Sequence, residues 1–235
     1  MQAIFSNNNK QRRSGSLSIP FLRTQLPPNT KIFPLQLAFQ VKITDIDNYY
    51  KLKSRLCLNG SSMIEGIDFD ISFAPVADSS SIRILCSLAT LEQMYLIVLD
   101  ISNAFQSTHI TDPSQRHHMS LPAFYLEWFR LRWPNHPILQ YSPRELVIQC
   151  LNQIQGARDA GNSFFTYLSS VFKAIDTCPL PSNKGILVWY HQSYKSYFAI
   201  STDDILMVTQ HESCVNILEQ HISQFFEYQI QRGAI

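Results

Sequence analysis

The stretch from Tyr197 to Val208 reads YFAISTDDILMV. Apolar residues flank a small polar centre, Ser201-Thr202-Asp203-Asp204. Two short apolar runs around such a break predict a β-hairpin that turns at the polar residues. The run Gly185 to Tyr190 (GILVWY) predicts a further strand beside it. Neighbouring side chains of a regular strand point to opposite faces, but in a tight turn they can splay onto one surface. Two ionised carboxylates packed together repel unless a cation neutralises them. One reading of Asp203-Asp204 is therefore a divalent-metal site on a hairpin. The other is ordinary turn chemistry, in which Asp is common, and for the pair alone it is the better reading.

A second stretch shifts the balance. Tyr95 to Asp100 (YLIVLD) is an apolar run of the kind buried inside a sheet, and it ends in an acid. An acid leaving a buried strand can face an acid pair on a neighbouring hairpin. Three carboxylates from two places are the minimum for binding a pair of hard cations, which stabilise the attacking and leaving oxygens of a phosphoryl transfer.

Composition sets few limits. Hydrophobic residues make up 45% of 235, enough for a sizeable core. Net charge is +1, but its distribution is uneven: up to Gly60 there are nine basic and two acidic residues, and beyond it ten and sixteen. A basic first quarter is compatible with phosphate contact, although Lys10, Arg12 and Arg13 read as a solvated tail. Cys57, Cys86, Cys150, Cys178 and Cys214 are odd in number and lack any CxxC spacing, so they read as small buried residues rather than a disulfide or zinc framework. His117-His118 reads as an exposed pair in a polar loop spanning 107–120. No apolar run has the length of a membrane span, and no secretory signal is seen.

Along the chain, SNNNKQRRSGS and LPPNT are linker chemistry, so residues 1–35 are expected to be irregular and outside the core. Leu35 to Lys42 and Tyr49 to Leu58 predict strands, the second with Lys51, Lys53 and Arg55 on one face. Helical periodicity places Ile82, Leu85, Cys86 and Ala89 on one face after a Ser80 or Ser81 cap. It predicts a helix within 121–133 with a Phe124, Trp128 and Leu131 stripe. Two more helices are predicted, one with Ala160, Phe164, Tyr167, Leu168 and Val171 inward, the other with Val215, Leu218, Ile222, Phe225 and Phe226. Glu145 to Leu151 predicts a strand.

Four blocks in order make the chain resemble the reverse transcriptase domain of copia-type LTR retrotransposons. They are Lys53-Ser54-Arg55-Leu56 with Gly60, then GIDFD (Gly66–Asp70) and FAPVA (Phe73–Ala77); Asp100 through Ala104-Phe105; Gln155-Gly156-Ala157-Arg158 with Phe164-Phe165; and Asp203-Asp204. GIDFD followed by FAPVA is the most specific. The resemblance implies an α+β polymerase right hand over 36–235: fingers and a palm whose antiparallel sheet is backed by helices, with the thumb, RNase H, protease and integrase regions missing.

The resemblance also implies roles. Asp100, Asp203 and Asp204 are the expected catalytic residues, holding two magnesium ions (manganese being the alternative) with the carbonyl of Ile101. Arg55 and Lys53 are expected at the dNTP triphosphate, Phe105 as a steric gate beneath the sugar, Gln155 and Gly156 at the nucleotide and primer end, and Arg158 near the template. Expected partners are an RNA or DNA template-primer, dNTP, and other Pol segments or a second subunit, with no membrane. The expected setting is intracellular, cytoplasmic or nuclear, including a virus-like particle. Three departures stand out. Gln155-Gly156-Ala157-Arg158 replaces the usual Tyr-Gly-Leu-Lys, Asp159-Ala160-Gly161 replaces Gln-Ala-Pro, and Ser201-Thr202 replaces Tyr-Val. The implied function is RNA-templated DNA synthesis. The rivals are an inactive remnant retaining only nucleic-acid binding or fold, a different magnesium enzyme such as a nuclease, and an α+β domain whose acids are structural.

Overall fold

The structure, a computed structural model, describes residues 15–44 and 49–233. The basic tail at Lys10, Arg12 and Arg13 therefore lies outside the described residues. In chain order the elements are β1 (Phe21–Leu22), β2 (Ile32–Phe33), β3 (Leu35–Thr44), β4 (Tyr49–Leu58), α1 (Ser79–Leu91), β5 (Tyr95–Ile101), β6 (His118–Ser120), α2 (Ala123–Arg132), β7 (Leu146–Gln149), α3 (Ala160–Lys173), β8 (Cys178–Leu180), β9 (Asn183–His191), β10 (Tyr194–Ser201), β11 (Asp204–Thr209), α4 (Glu212–Ile222) and β12 (Tyr228–Gly233). The mixture is α+β, as expected. The described residues divide into two compact units, those up to 71 with 108–160, and those of 72–107 with those from 161 onward.

In the first unit β1, β7, β6 and β2 form a four-stranded sheet in that order. β3 and β4 pair antiparallel as a separate ribbon. The sheet corrects the expectation of an irregular stretch up to residue 35. Its described part contributes β1 and β2, and Ser16, Leu17 and Phe33 are buried. Leu17 also bridges to Cys150. Strands of two residues carry no period that a sequence could display. The 107–120 loop is also corrected, because it holds β6, and His117 is buried edge-on against Phe33 at 5.5 Å. Helix α2 starts after Pro122, whose fixed φ suits a first turn. It buries Tyr125, Leu126, Trp128 and Phe129, while Leu131 is 75% exposed. The expected Phe124–Trp128–Leu131 stripe is thus displaced. Trp133 packs on Trp128 and Phe129 with ring centroids 5.7 and 4.7 Å apart, and this aromatic cluster selects the face.

The second unit is a six-stranded antiparallel sheet in the order β12-β5-β11-β10-β9-β8. Alternation along each strand sends alternate residues to opposite faces. One face carries Ile97, Leu99, Ile101, Phe198, Ile200, Ile205 and Met207. It is covered by Phe164, Leu168, Val171 and Phe172 of α3 and by Cys214, Val215, Leu218 and Ile222 of α4. The opposite face carries Leu96, Ala199, Leu206 and Val208 under Leu85 and Ala89 of α1. The cap of α1 is Asp78, which accepts from Ser81 N, rather than either serine. Phe225 lies beyond the end of α4 and is 40% exposed, whereas Phe226 is buried. The FAPVA segment threads across this unit. Ala77 N donates to Ile200 O, and Asn162 donates to Phe73 O. A Cβ on Gly185 would lie 2.3 Å from the carbonyl carbon of Val76, so only glycine admits that crossing. Of the five cysteines, Cys150 and Cys214 are buried as expected, Cys57 and Cys86 are half-buried, and Cys178 is exposed.

Candidate active site

The expected hairpin is β10–β11, with Ser201 paired to Asp204 and only Thr202-Asp203 between them. Thr202 takes φ 58°, a conformation that a β-branched residue rarely adopts. Two-residue hairpin turns demand such positive φ, because their twist must match that of the strands. The turn thereby fixes where the strand resumes, at Asp204.

β11 lies between β10 and β5, and Asp204 sits directly opposite Asp100. On the far side of β5, Gln229 of β12 is the partner of Asp100. Ser201, Asp204, Asp100 and Gln229 therefore form one polar row across four strands, all exposed. The next rows on the same face, Ala199–Leu206–Val98 and Tyr197–Val208–Leu96, lead under α1. The acids occupy the end of the face that α1 leaves open. Asp203 stands in the turn, and its carbonyl accepts from Ile101 N at 2.9 Å. The Ile101 side chain points into the opposite core.

Like charges opposite each other in a sheet repel. Desolvation, then the charges of Asp203 and Asp100, push the Asp204 carboxyl above its ordinary value. Carboxylate and carbonyl oxygens suit magnesium, so the donor chemistry and the crowding of negative charge fit a divalent cation. Closure is another matter. Among the described residues no group of three or more His, Cys, Asp or Glu side chains is gathered tightly enough to hold an ion. Backbone register brings the acids to one end of one sheet, but their side chains do not form a finished cage.

Phe105 follows β5 in a short 3-10 turn, half-buried, with its ring edge toward Phe164 at 6.3 Å. The ring packs against the core of the second unit.

The remaining expected residues lie in the first unit, where two distant blocks meet. Lys53 and Arg55 share a face of β4, and Arg55 donates to Gln40 Oε1 at 3.3 Å. At the end of β4, Leu58 N donates to Gln155 O at 2.8 Å. Arg158 Nε donates to Gly60 O at 3.1 Å. Gly156 has φ 93°, and a Cβ there would lie 1.9 Å from Leu58 O. The close approach that Gly156 permits in the structure is to β4 itself. Gly60 answers it, since its own Cβ would meet Gly156 O at 2.2 Å. The Gln155–Arg158 turn is thus stitched to the strand that carries Arg55. Asp68 of GIDFD is structural: it accepts from Ile64 N and pairs with Lys31.

The parts played by three residues escaped sequence reasoning. Gln229 joins the acidic row only because β12 pairs with β5, which its short, polar sequence did not announce. Asp159 and His117, whose side chains approach to 3.7 Å, are 42 positions apart and carry no shared motif.

Residues 21–126 match the family model described as reverse transcriptase (RNA-dependent DNA polymerase). The chain is 24% identical over 200 residues to a retrovirus-related Pol polyprotein from transposon RE1 of Arabidopsis thaliana, covering 85% of this chain and 13% of that protein. It is 24% identical over 181 residues to the corresponding polyprotein from transposon RE2 of the same plant, covering 77% and 11%. Against that from transposon TNT 1-94 of Nicotiana tabacum it is 22% identical over 230 residues, covering 97% and 16%. The chain therefore spans a small fraction of the length of the curated relatives it matches. Among the described residues no helix is long and apolar enough to cross a membrane.

Proposed function

Because the chain carries a reverse transcriptase domain related to those of transposon Pol polyproteins, we propose that it belongs to the fingers and palm of a right-handed polymerase and performs RNA-templated DNA synthesis. The observation that carries the reading is the register. Asp204 stands opposite Asp100 on two central strands, with Asp203 in the turn between β10 and β11. The second unit is the palm and the first the fingers.

In the proposed reaction a primer 3′-OH attacks the α-phosphorus of a dNTP. A new P–O bond forms, the bond to pyrophosphate breaks, and the hydroxyl proton passes to solvent. Asp100 and Asp203 would hold the metal ions directly, Asp204 would support them electrostatically, and the Ile101 carbonyl would add a donor. Two magnesium ions, when bound, stabilise the attacking and leaving oxygens. Arg55 and Lys53 neutralise the triphosphate, Gln155 and Gly156 border the nucleotide, Arg158 faces the template, and Phe105 disfavours a ribose 2′-OH. Template sequence is read by base pairing, so protein contacts fall mainly on backbone and shape.

The test is primer extension on a poly(rA)/oligo(dT) template with magnesium, comparing this chain with Asp203→Asn. Extension by the parent that the variant loses supports the reading; extension by both overturns the assignment of Asp203. A second reading, a fold that binds template-primer without turnover, is favoured by the unclosed spacing of the three carboxylates. Binding without extension by the parent would select it.

A further inference from the structure

We propose that His117 and Asp159 form a buried positioning pair that fixes the Gln155–Arg158 turn, and so sets how Gln155 and Arg158 meet nucleic acid. The second half of this statement rests on the polymerase reading; the first does not.

The turn is tethered on its outer side by Leu58 N to Gln155 O and by Arg158 to Gly60 O. On its inner side Gln153 N donates to Thr108 O, and Gln153 Nε2 donates to Asp159 Oδ2 at 2.9 Å. The other oxygen of Asp159, Oδ1, is buried without a hydrogen-bond partner, and so is His117 Nε2. These two orphaned atoms face each other at 3.7 Å. That distance is too long for a hydrogen bond and within reach of an ion pair. The imidazole cannot drift away from the carboxylate. His117 O accepts from Cys150 N, and Phe33 stands edge-on to the ring.

Burial raises the Asp159 carboxyl, but His117 and Gln153 outweigh it and hold the group below its ordinary value. The other titratable groups around the pair are Asp68, which also feels His117 and is held by Lys31, together with His118 and Cys150. Position 159 is where the sequence departs from the Gln-Ala-Pro of the family it resembles. An acid there brings a charge into a partly buried turn, and the His117 ring is the side chain that faces it.

The test is a double-mutant cycle in the full chain: Asp159→Asn, His117→Gln and both together. Hydrogen exchange is read over residues 154–160 alongside melting temperature and template-primer affinity. Each single variant is expected to speed exchange of the Ala157 and Ala160 amides by about tenfold, with the double variant no worse than either single one. Template-primer affinity is expected to fall severalfold and to be regained in Asp159→Glu. Asp159→Gln, neutral and of similar length, replaces Asp159→Asn should that variant fail to fold. Additive effects, or unchanged exchange at 154–160, would overturn the pair. Faster exchange with unchanged affinity would overturn its role in presenting the turn. If the parent itself binds no template-primer, the polymerase reading fails, while the exchange data still decide whether the pair exists.

Discussion

Replacing Gly156 by alanine should damage the first unit at one point, by a calculable amount. Alanine meets two penalties there. Its φ of 93° is one that L side chains rarely adopt, a cost of about 1–2 kcal/mol. Its Cβ would also lie 1.9 Å from Leu58 O, which is backbone and cannot rotate away. Relieving the clash means stretching the Leu58 N to Gln155 O bond of 2.8 Å, a further loss of about 1 kcal/mol. Together these predict roughly 2–3 kcal/mol. Urea unfolding followed by tryptophan fluorescence measures it, in a Trp189→Phe background so that Trp128 and Trp133 report the first unit alone. Gly60→Ala carries no φ penalty and should cost about 1 kcal/mol, because its Cβ meets Gly156 O at 2.2 Å, and the double variant should fall short of additive, since both press the same two segments apart. A loss below about 0.5 kcal/mol for Gly156→Ala, the size of an ordinary surface change, would refute the interlocked turn.

Other outcomes follow from the charges. Asp204→Asn should stabilise the second unit by roughly 0.5 kcal/mol while weakening primer extension, because it removes one of two like charges opposed across β5 and β11; a thermal melt with no gain, or a loss, would count against the repulsion. Burial raises the Asp68 carboxyl, but hydrogen bonds from Lys31 and Ile64 hold it below its ordinary value. The stabilisation from Asp68 is therefore fully present above the unfolded carboxylate pKa and is lost as pH falls through the folded one. Lys31→Met should move the acid-unfolding midpoint of the first unit upward, as read by circular dichroism against pH; an unmoved midpoint would show that the pair is idle.

The six-stranded sheet was legible because its strands obey a two-residue period and its hairpin announces itself by a polar break. Asp100 and Asp204 could be found from where their strands end, but their exact pairing depends on register, which no local pattern prints. β12 was missed as a strand because Tyr228–Gly233 has one weakly apolar face and gains its place from the edge of β5. In α2, apolar residues occupy so many positions that two stripes fit the period, and Trp133, beyond the helix, decided between them. His117 looked exposed because it adjoins another histidine in polar sequence; its burial comes from Phe33, 84 positions away.

The polar row across β10, β11, β5 and β12 has a bearing on how such a site can be lost. Asp204 and Asp100 lie on strands paired on both sides, so neither can creep along its neighbours by a fraction of a residue. Side chains alternate with a period of two, and a shift of one residue sends each to the other face. Deleting a single codon within β11 would turn Asp204 toward the core now filled by Ile205 and Met207 and bring apolar side chains to the open face. The acidic row thus tolerates point changes by degrees but length changes not at all. Among copies of such a gene, an unchanged number of codons through these two strands is a sharper mark of a retained site than the identity of any one residue outside it.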